Sequence, residues 1–226
     1  MNADALLRLA NTKQRMPGVE IESFAKSGNA TSYLALEVLD GDGGRRVLLE
    51  SYSGIEKLSL LVVPPNWWLR VADNTRRMGA IDPGFQFPGT PFRLGDLFLL
   101  DPAGFRIVHE APEVIAGVSC LTVTLEPVRS PTHPPARLAV SLAVGGPREG
   151  LPMLVRAFDM DRTTELRSVT LDDWRSLGGA GGAWLAYEQV ITATVAGVKW
   201  SATQRVTRAV TGGVTAQNFT VGRLRF

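Results

Sequence analysis

The chain has 226 residues, 24 basic and 22 acidic for a net charge of +2, with 45% hydrophobic and 20% charged residues and a single cysteine. That length can bury a sizeable core as one large all-β domain or two small ones. The charges form no basic block, which argues against a nucleic-acid partner, and no apolar run approaches the roughly 20 residues that span a bilayer.

The N-terminal stretch MNADALLRLANTKQR lacks the basic start and long apolar centre of a signal peptide. From Asp4 to Arg15 it reads as a helix, with Ala5, Leu6, Leu9 and Ala10 at helical spacing, Asn2 or Asp4 as cap, and Pro17-Gly18 as stop. From Val19 the period becomes two. VEIESF sets Val19, Ile21 and Ser23 against Glu20, Glu22 and Phe24, and TSYLALEVL sets Leu34, Leu36 and Val38 against Tyr33, Ala35 and Glu37. DGDGG is a hairpin signal, because Gly and Asp tolerate the positive φ of tight hairpins. RRVLLESYS, KLSLLVV and NWWLRV complete a five-strand antiparallel meander.

Pro64 to Leu100 then holds paired tryptophans, a basic turn at Arg76-Arg77, and a Gly/Pro loop with Phe85, Phe87 and Phe92. A loop of that length usually works as a lid or binding loop. Strands resume with FRIVHEA, VSCLTVTLEPV, ARLAVSLAVG, MLVRAF, TELRSVTLDDW, WLAYEQVITATV and KWSATQRVTRAV, followed by a tail. No break in composition divides them, so residues 1–226 are read as a single domain. The predicted fold is mainly β: one strongly curled antiparallel sheet of about eleven strands, an incomplete β-barrel with short helices over its open side. Two short helices do not fill so wide a concave face, which favours an apolar-lined hollow. A dry core under a plug is the competing reading.

Catalytic chemistry finds little support. There is no GxSxG, and His109 and His133 stand beside no matching motif, so no acyl-transfer triad and no enzyme activity is expected. DMDRTTE lacks the glycine and final glutamate of a calcium loop, so Asp159, Asp161, Asp172 and Asp173 read as turn formers. Cys120 lies in an apolar strand as a buried, inert thiol, and it can form neither an internal disulfide nor a thiolate metal site. No cofactor and no metal is expected.

Several ordered segments resemble the outer-membrane lipoprotein-sorting family, the LolA-like periplasmic carriers. They are WWLRVADNTRRMGAI, FPGTPFRLGDLF, LPMLVRAFDMDRTTELRSVTLDDW and the terminal QNFTVGRLRF, and they span most of the chain. The resemblance implies an incomplete antiparallel barrel around an apolar cavity, without enzymatic activity or cofactor. It implies a periplasmic location after signal removal and, as ligand, lipid or lipoprotein acyl chains carried between envelope membranes. Its partners would be an inner-membrane transporter and an outer-membrane acceptor. This sequence departs from the family at Gly89, Thr90 and Pro91, where a glycine, serine, aspartate pattern is usual. An interaction or sensor domain on the same fold, reading envelope proteins or lipids without moving them, is the alternative.

Strand alternation, not the family motif, selects the expected cavity. Leu34, Leu36, Leu49, Leu60, Trp67 and Leu69 would line one half, and Leu121, Val123, Leu138, Val140 and Leu142 the other. Leu6 and Leu9 on the helix, with Phe85 and Phe87 on the loop, would form the lid.

Overall fold

A computed structural model describes residues 2–53, 56–79, 84–85, 93–97, 100, 102–129, 135–178, 182–195 and 197–224. Phe87, Phe92, His133 and the centre of the GGAGG loop lie outside the described residues. Helix α1 spans Ala3–Lys13. The first strands are β1 (Val19–Ser27), β2 (Ala30–Gly41), β3 (Gly44–Ser53), β4 (Glu56–Val63), β5 (Asn66–Val71) and β6 (Asn74–Met78). They are followed by β7 (Phe105–Ile115), β8 (Val118–Pro127), β9 (Arg137–Ala143), β10 (Pro152–Phe158), β11 (Glu165–Ser176), β12 (Trp184–Val195) and β13 (Val198–Thr211). Short 3-10 turns sit at Leu94–Leu97, Pro102–Gly104, Ala216–Asn218 and Val221–Arg223.

The strands form one antiparallel sheet that does not close into a barrel, in the order β6-β5-β4-β3-β2-β1-β13-β12-β11-β10-β9-β8-β7. The mainly β, open antiparallel architecture expected from alternation is borne out. Each meander pairs neighbours in sequence, and β13 returns to β1 with Val19 opposite Thr211. The short links are cheap to close.

Three local expectations change. The basic turn is strand β6: Arg76 and Arg77 lie opposite Leu69 and Trp68, and the turn itself falls earlier, at Ala72 with φ 49°. Asp172 and Asp173 lie inside β11, with Asp173 at φ 48° and its carboxylate on Arg175. Among the described residues α1 is the only α-helix, and the other helical pieces are single 3-10 turns.

The chain divides into two compact units. Residues 1–14, 99–175 and 184–201 make the first. Its helix is capped as expected by Asn2, whose Oδ1 accepts from the Ala5 N–H at 2.9 Å. The buried stripe is Ala3, Leu6, Leu7 and Ala10 instead of Ala5, Leu6, Leu9 and Ala10. It packs on Val123, Leu125, Val140 and Leu142 of β8 and β9. On the other face of these strands, Cys120, Ala143, Leu151, Met153, Trp174 and Ala186 form a second core, where the Trp174 indole donates to the Pro152 carbonyl at 3.1 Å.

Residues 15–98, 176–183 and 202–226 make the second unit. The expected DGDGG hairpin is present: β2 ends at Gly41, β3 starts at Gly44 with φ 92°, and the two lie opposite each other. Arg45 grips Asp40 with two nitrogens, and Asp40 also accepts the Met16 N–H at 2.7 Å. The C-terminal segment, which alternation leaves as a tail, straps one face of the strands. Its Val214, Phe219 and Leu224 pack on Leu48 and Leu61, with Trp68 alongside.

Candidate apolar binding faces

In the second unit, strand register assembles two apolar rows on the face opposite the C-terminal strap. Val19, Val38, Val47, Val62 and Trp67 lie across one another, and Ile21, Leu36, Leu49, Leu60 and Leu69 form the next row. All are buried except the half-buried Leu69. Leu34 belongs to a third row between the buried Ser23 and the half-buried Ser51, and it too is buried. The six residues expected here thus share one face, as strand alternation demands. Val19, Ile21, Val38, Val47 and Val62 belong to the same rows, and the same alternation identifies them. Phe85, expected as lid, meets Trp67 edge-on with ring centroids 5.2 Å apart. Phe87, its expected companion, lies outside the described residues.

In the first unit, Val123, Val140 and Leu142 are buried under α1, and Leu121 and Leu138 pack at the margin of that cluster. Val123 lies opposite Val140, and Leu121 opposite Leu142. Leu6 is buried on this face. Leu9 is half-buried and stands against Gly150 instead. Ala3, Leu7 and Leu125 complete the face and were not in the expected set. Leu125 is legible from alternation, whereas Ala3 and Leu7 depend on how the helix is rotated. Polar ties hold α1 in place: Asn11 Nδ2 donates to the Leu100 carbonyl at 2.7 Å and Lys13 Nζ to the Pro147 carbonyl at 2.9 Å.

Charged side chains gather elsewhere on the strands. In the second unit a groove of about 110 Å³ is lined by Glu20, Glu22, Glu37, Glu50 and Arg223 together with Ile21, Ala35, Leu36 and Leu48. Its carboxylates do not suit an acyl chain. Glu37 there accepts from Asn218 at 2.9 Å and from Arg223, which ties down the strap. In the first unit, Glu113 accepts from the Thr122 and Ser141 hydroxyls and from Arg156 at 2.6 Å. Chiefly the Thr122 hydroxyl, then Arg156 and Ser141, hold its carboxyl below the usual range against the opposing effect of burial. Glu126 is held low in the same way by Arg137 first and Arg106 next.

Cys120 is 4% exposed, and burial pushes its thiol above the ordinary value. His109 is exposed on β7. Asp161 accepts both backbone N–H groups of Thr163 and Thr164 together with the Thr164 hydroxyl, so it builds its turn. Among the described residues, no group of three or more His, Cys, Asp or Glu is arranged to hold a metal ion. No helix there is long and apolar enough to cross a membrane.

No family model and no curated protein matches the chain. Solved structures do. An outer membrane lipoprotein-sorting protein domain from Vibrio parahaemolyticus aligns with a TM-score of 0.78 at 15% identity, over 99% of each chain. A DUF1329 family protein from Desulfovibrio piger gives 0.76 at 11% identity, over 98% of this chain and 97% of that one. A LolA superfamily protein from Nitrosomonas europaea gives 0.70 at 10% identity, over 99% and 100%. An open antiparallel sheet with buried apolar rows, an N-terminal helix laid on β8 and β9, and these alignments together establish that the fold of this chain is LolA-like, that of lipoprotein-sorting proteins.

Proposed function

We propose that the protein is a non-enzymatic carrier in the periplasm that holds the acyl chains of a lipoprotein or lipid on its apolar faces and moves them between envelope membranes. The observation that carries this reading is the pair of in-register rows from Val19 to Trp67 and from Ile21 to Leu69, with no ionisable side chain in either. An acyl chain needs continuous apolar surface with no direction to its contacts. Each methylene buried contributes about 0.8 kcal/mol, so one chain supplies ample affinity. The fold shared with lipoprotein-sorting proteins supports the same reading. An inner-membrane donor and an outer-membrane acceptor would be the partners.

Binding and release both follow from competition. The stripe of α1 already occupies Val123, Leu125, Val140 and Leu142, and Phe85 already occupies the edge of Trp67. A bound chain replaces such self-contacts, which keeps the empty and loaded states close in energy and lets the cargo leave. In the second unit the wall is Leu34, Leu36, Leu49, Leu60, Trp67 and Leu69 with Phe85 as its cover, and in the first it is Leu121, Val123, Leu138, Val140 and Leu142 with Leu6 as its cover.

A fluorescent fatty acid titrated into the protein tests this. Leu36→Glu should abolish binding while the strand circular-dichroism signal persists. Leu7→Ala, which loosens the cover, should tighten binding several-fold. Binding unchanged in both variants would overturn the assignment of these faces.

A further inference from the structure

The geometry points to an anion site for a phosphate-class group, built by Arg106, Arg137 and Arg162 around Glu126 in the first unit. Arg106 lies on β7 opposite Glu126, Arg137 opens β9, and Arg162 sits at the β10–β11 turn. Arg106 donates to Glu126 Oε2 at 2.9 Å and Arg137 to Oε1 at 2.9 Å, with Arg162 3.5 Å from Oε1. Three guanidiniums therefore share one carboxylate.

Charge and donor count both exceed what Glu126 can absorb. Within the ion-paired cluster itself one carboxylate faces three cations. In the adjacent turn Asp159 accepts the Met160 N–H and Asp161 accepts from Thr163 and Thr164. Each guanidinium offers five N–H donors in a planar fork. Among the described residues the Arg137 Nε is a buried donor with no acceptor. A buried unmade hydrogen bond is unfavourable.

The cluster is also ordered and open. Arg137 spends a second nitrogen on the Arg162 carbonyl at 3.0 Å, and the Arg162 N–H donates to the Asp159 carbonyl at 2.8 Å. Arg162 thereby stays in the left-handed region at φ 61°, its side chain aimed back to Glu126. The Glu126 side chain is 6% exposed while those of Arg106 and Arg162 are 64% and 48% exposed. The carboxylate thus lies beneath as a tether, with the Arg106 and Arg162 side chains open to solvent. Forked arginines held in this way suit a tetrahedral oxyanion such as inorganic phosphate or a lipid headgroup phosphate.

The experiment uses the full chain, with arginine side-chain NMR during titration with inorganic phosphate. In parallel, the protein is sedimented with phosphatidylglycerol–phosphatidylcholine vesicles and with phosphatidylcholine alone. Because Arg106 and Arg162 are exposed, the Arg106→Gln/Arg162→Gln variant should keep its amide spectrum. Phosphate-induced shifts at these arginines, weakened about tenfold in that variant, support a site for the free ion. Sedimentation with anionic vesicles that the variant loses, without shifts from inorganic phosphate, supports a headgroup site. Neither response, or equal responses from parent and variant, overturns the proposal. Fatty-acid binding is read separately, so this outcome is independent of the carrier reading.

Discussion

Gly150 and Leu9 leave no room between them for a side chain: a β-carbon on Gly150 would lie 2.8 Å from the Leu9 Cγ and 3.1 Å from its Cβ. The glycine also sits at φ +80°, so its identity serves both the backbone and the seating of α1. Gly150→Ala should therefore lower stability by about 2–4 kcal/mol through strain and overpacking. Leu9→Ala in that background should recover about 1 kcal/mol of it, read as coupling in a urea-denaturation cycle. Purely additive effects would show that the helix does not rest on Gly150.

The C-terminal strap is anchored at Gly18. This residue lies at φ +103°, its carbonyl accepts the Gly212 N–H at 3.0 Å, and any β-carbon would collide with the Val214 carbonyl oxygen. Gly18→Ala should raise hydrogen exchange across residues 212–224 while leaving β8 and β9 protected. An unchanged exchange pattern would contradict the anchoring role.

Glu113 is expected to matter for stability in a pH-dependent way. Glu113→Gln leaves Arg156 without its carboxylate partner and should cost about 1–2 kcal/mol at neutral pH. The folded-state carboxyl titrates below its ordinary value of 4.5, so the stabilisation is present above that value and is lost as pH falls through the folded pKa. The gap between parent and variant in thermal melts should accordingly close on acidification. A gap that widens in acid would refute the assignment.

Asp161 provides a sharper titration. The Thr164 hydroxyl, followed by the Thr164 and Thr163 N–H groups, lowers its carboxyl from 3.8 to about 2. Its turn should hold above pH 3.8 and loosen as pH falls towards 2. Carbon-detected NMR should place the midpoint near 2, and Thr164→Val should raise it. A midpoint at the ordinary value would mean that the turn is not closed by this carboxylate.

Much of the sheet is legible in the residue order because its signal is local. Side chains on a strand alternate with period two, so Leu34, Leu36 and Val38 had to share a face whatever they pack against. The same logic correctly placed Leu49, Leu60, Trp67 and Leu69, as well as the hairpin at Gly41–Gly44. The position of Cys120 inside an apolar strand likewise foretold a buried thiol.

What stayed hidden depends on partners distant in sequence. NTRRM carries no apolar alternation, and only pairing with β5 makes it a strand. On α1, Leu6 belongs to either stripe, and packing against β8 and β9 selected Leu7 over Leu9. The tail gains its 3-10 turns only where Phe219 and Leu224 find Leu48 and Leu61. The residues around Glu126 come from three segments, which no spacing rule brings together. The sequence alone determined strand periodicity and the face each residue takes, because both are properties of the local backbone. Tertiary structure alone decided which strands neighbour one another, how α1 is rotated and where charges converge, because those depend on contacts between distant segments.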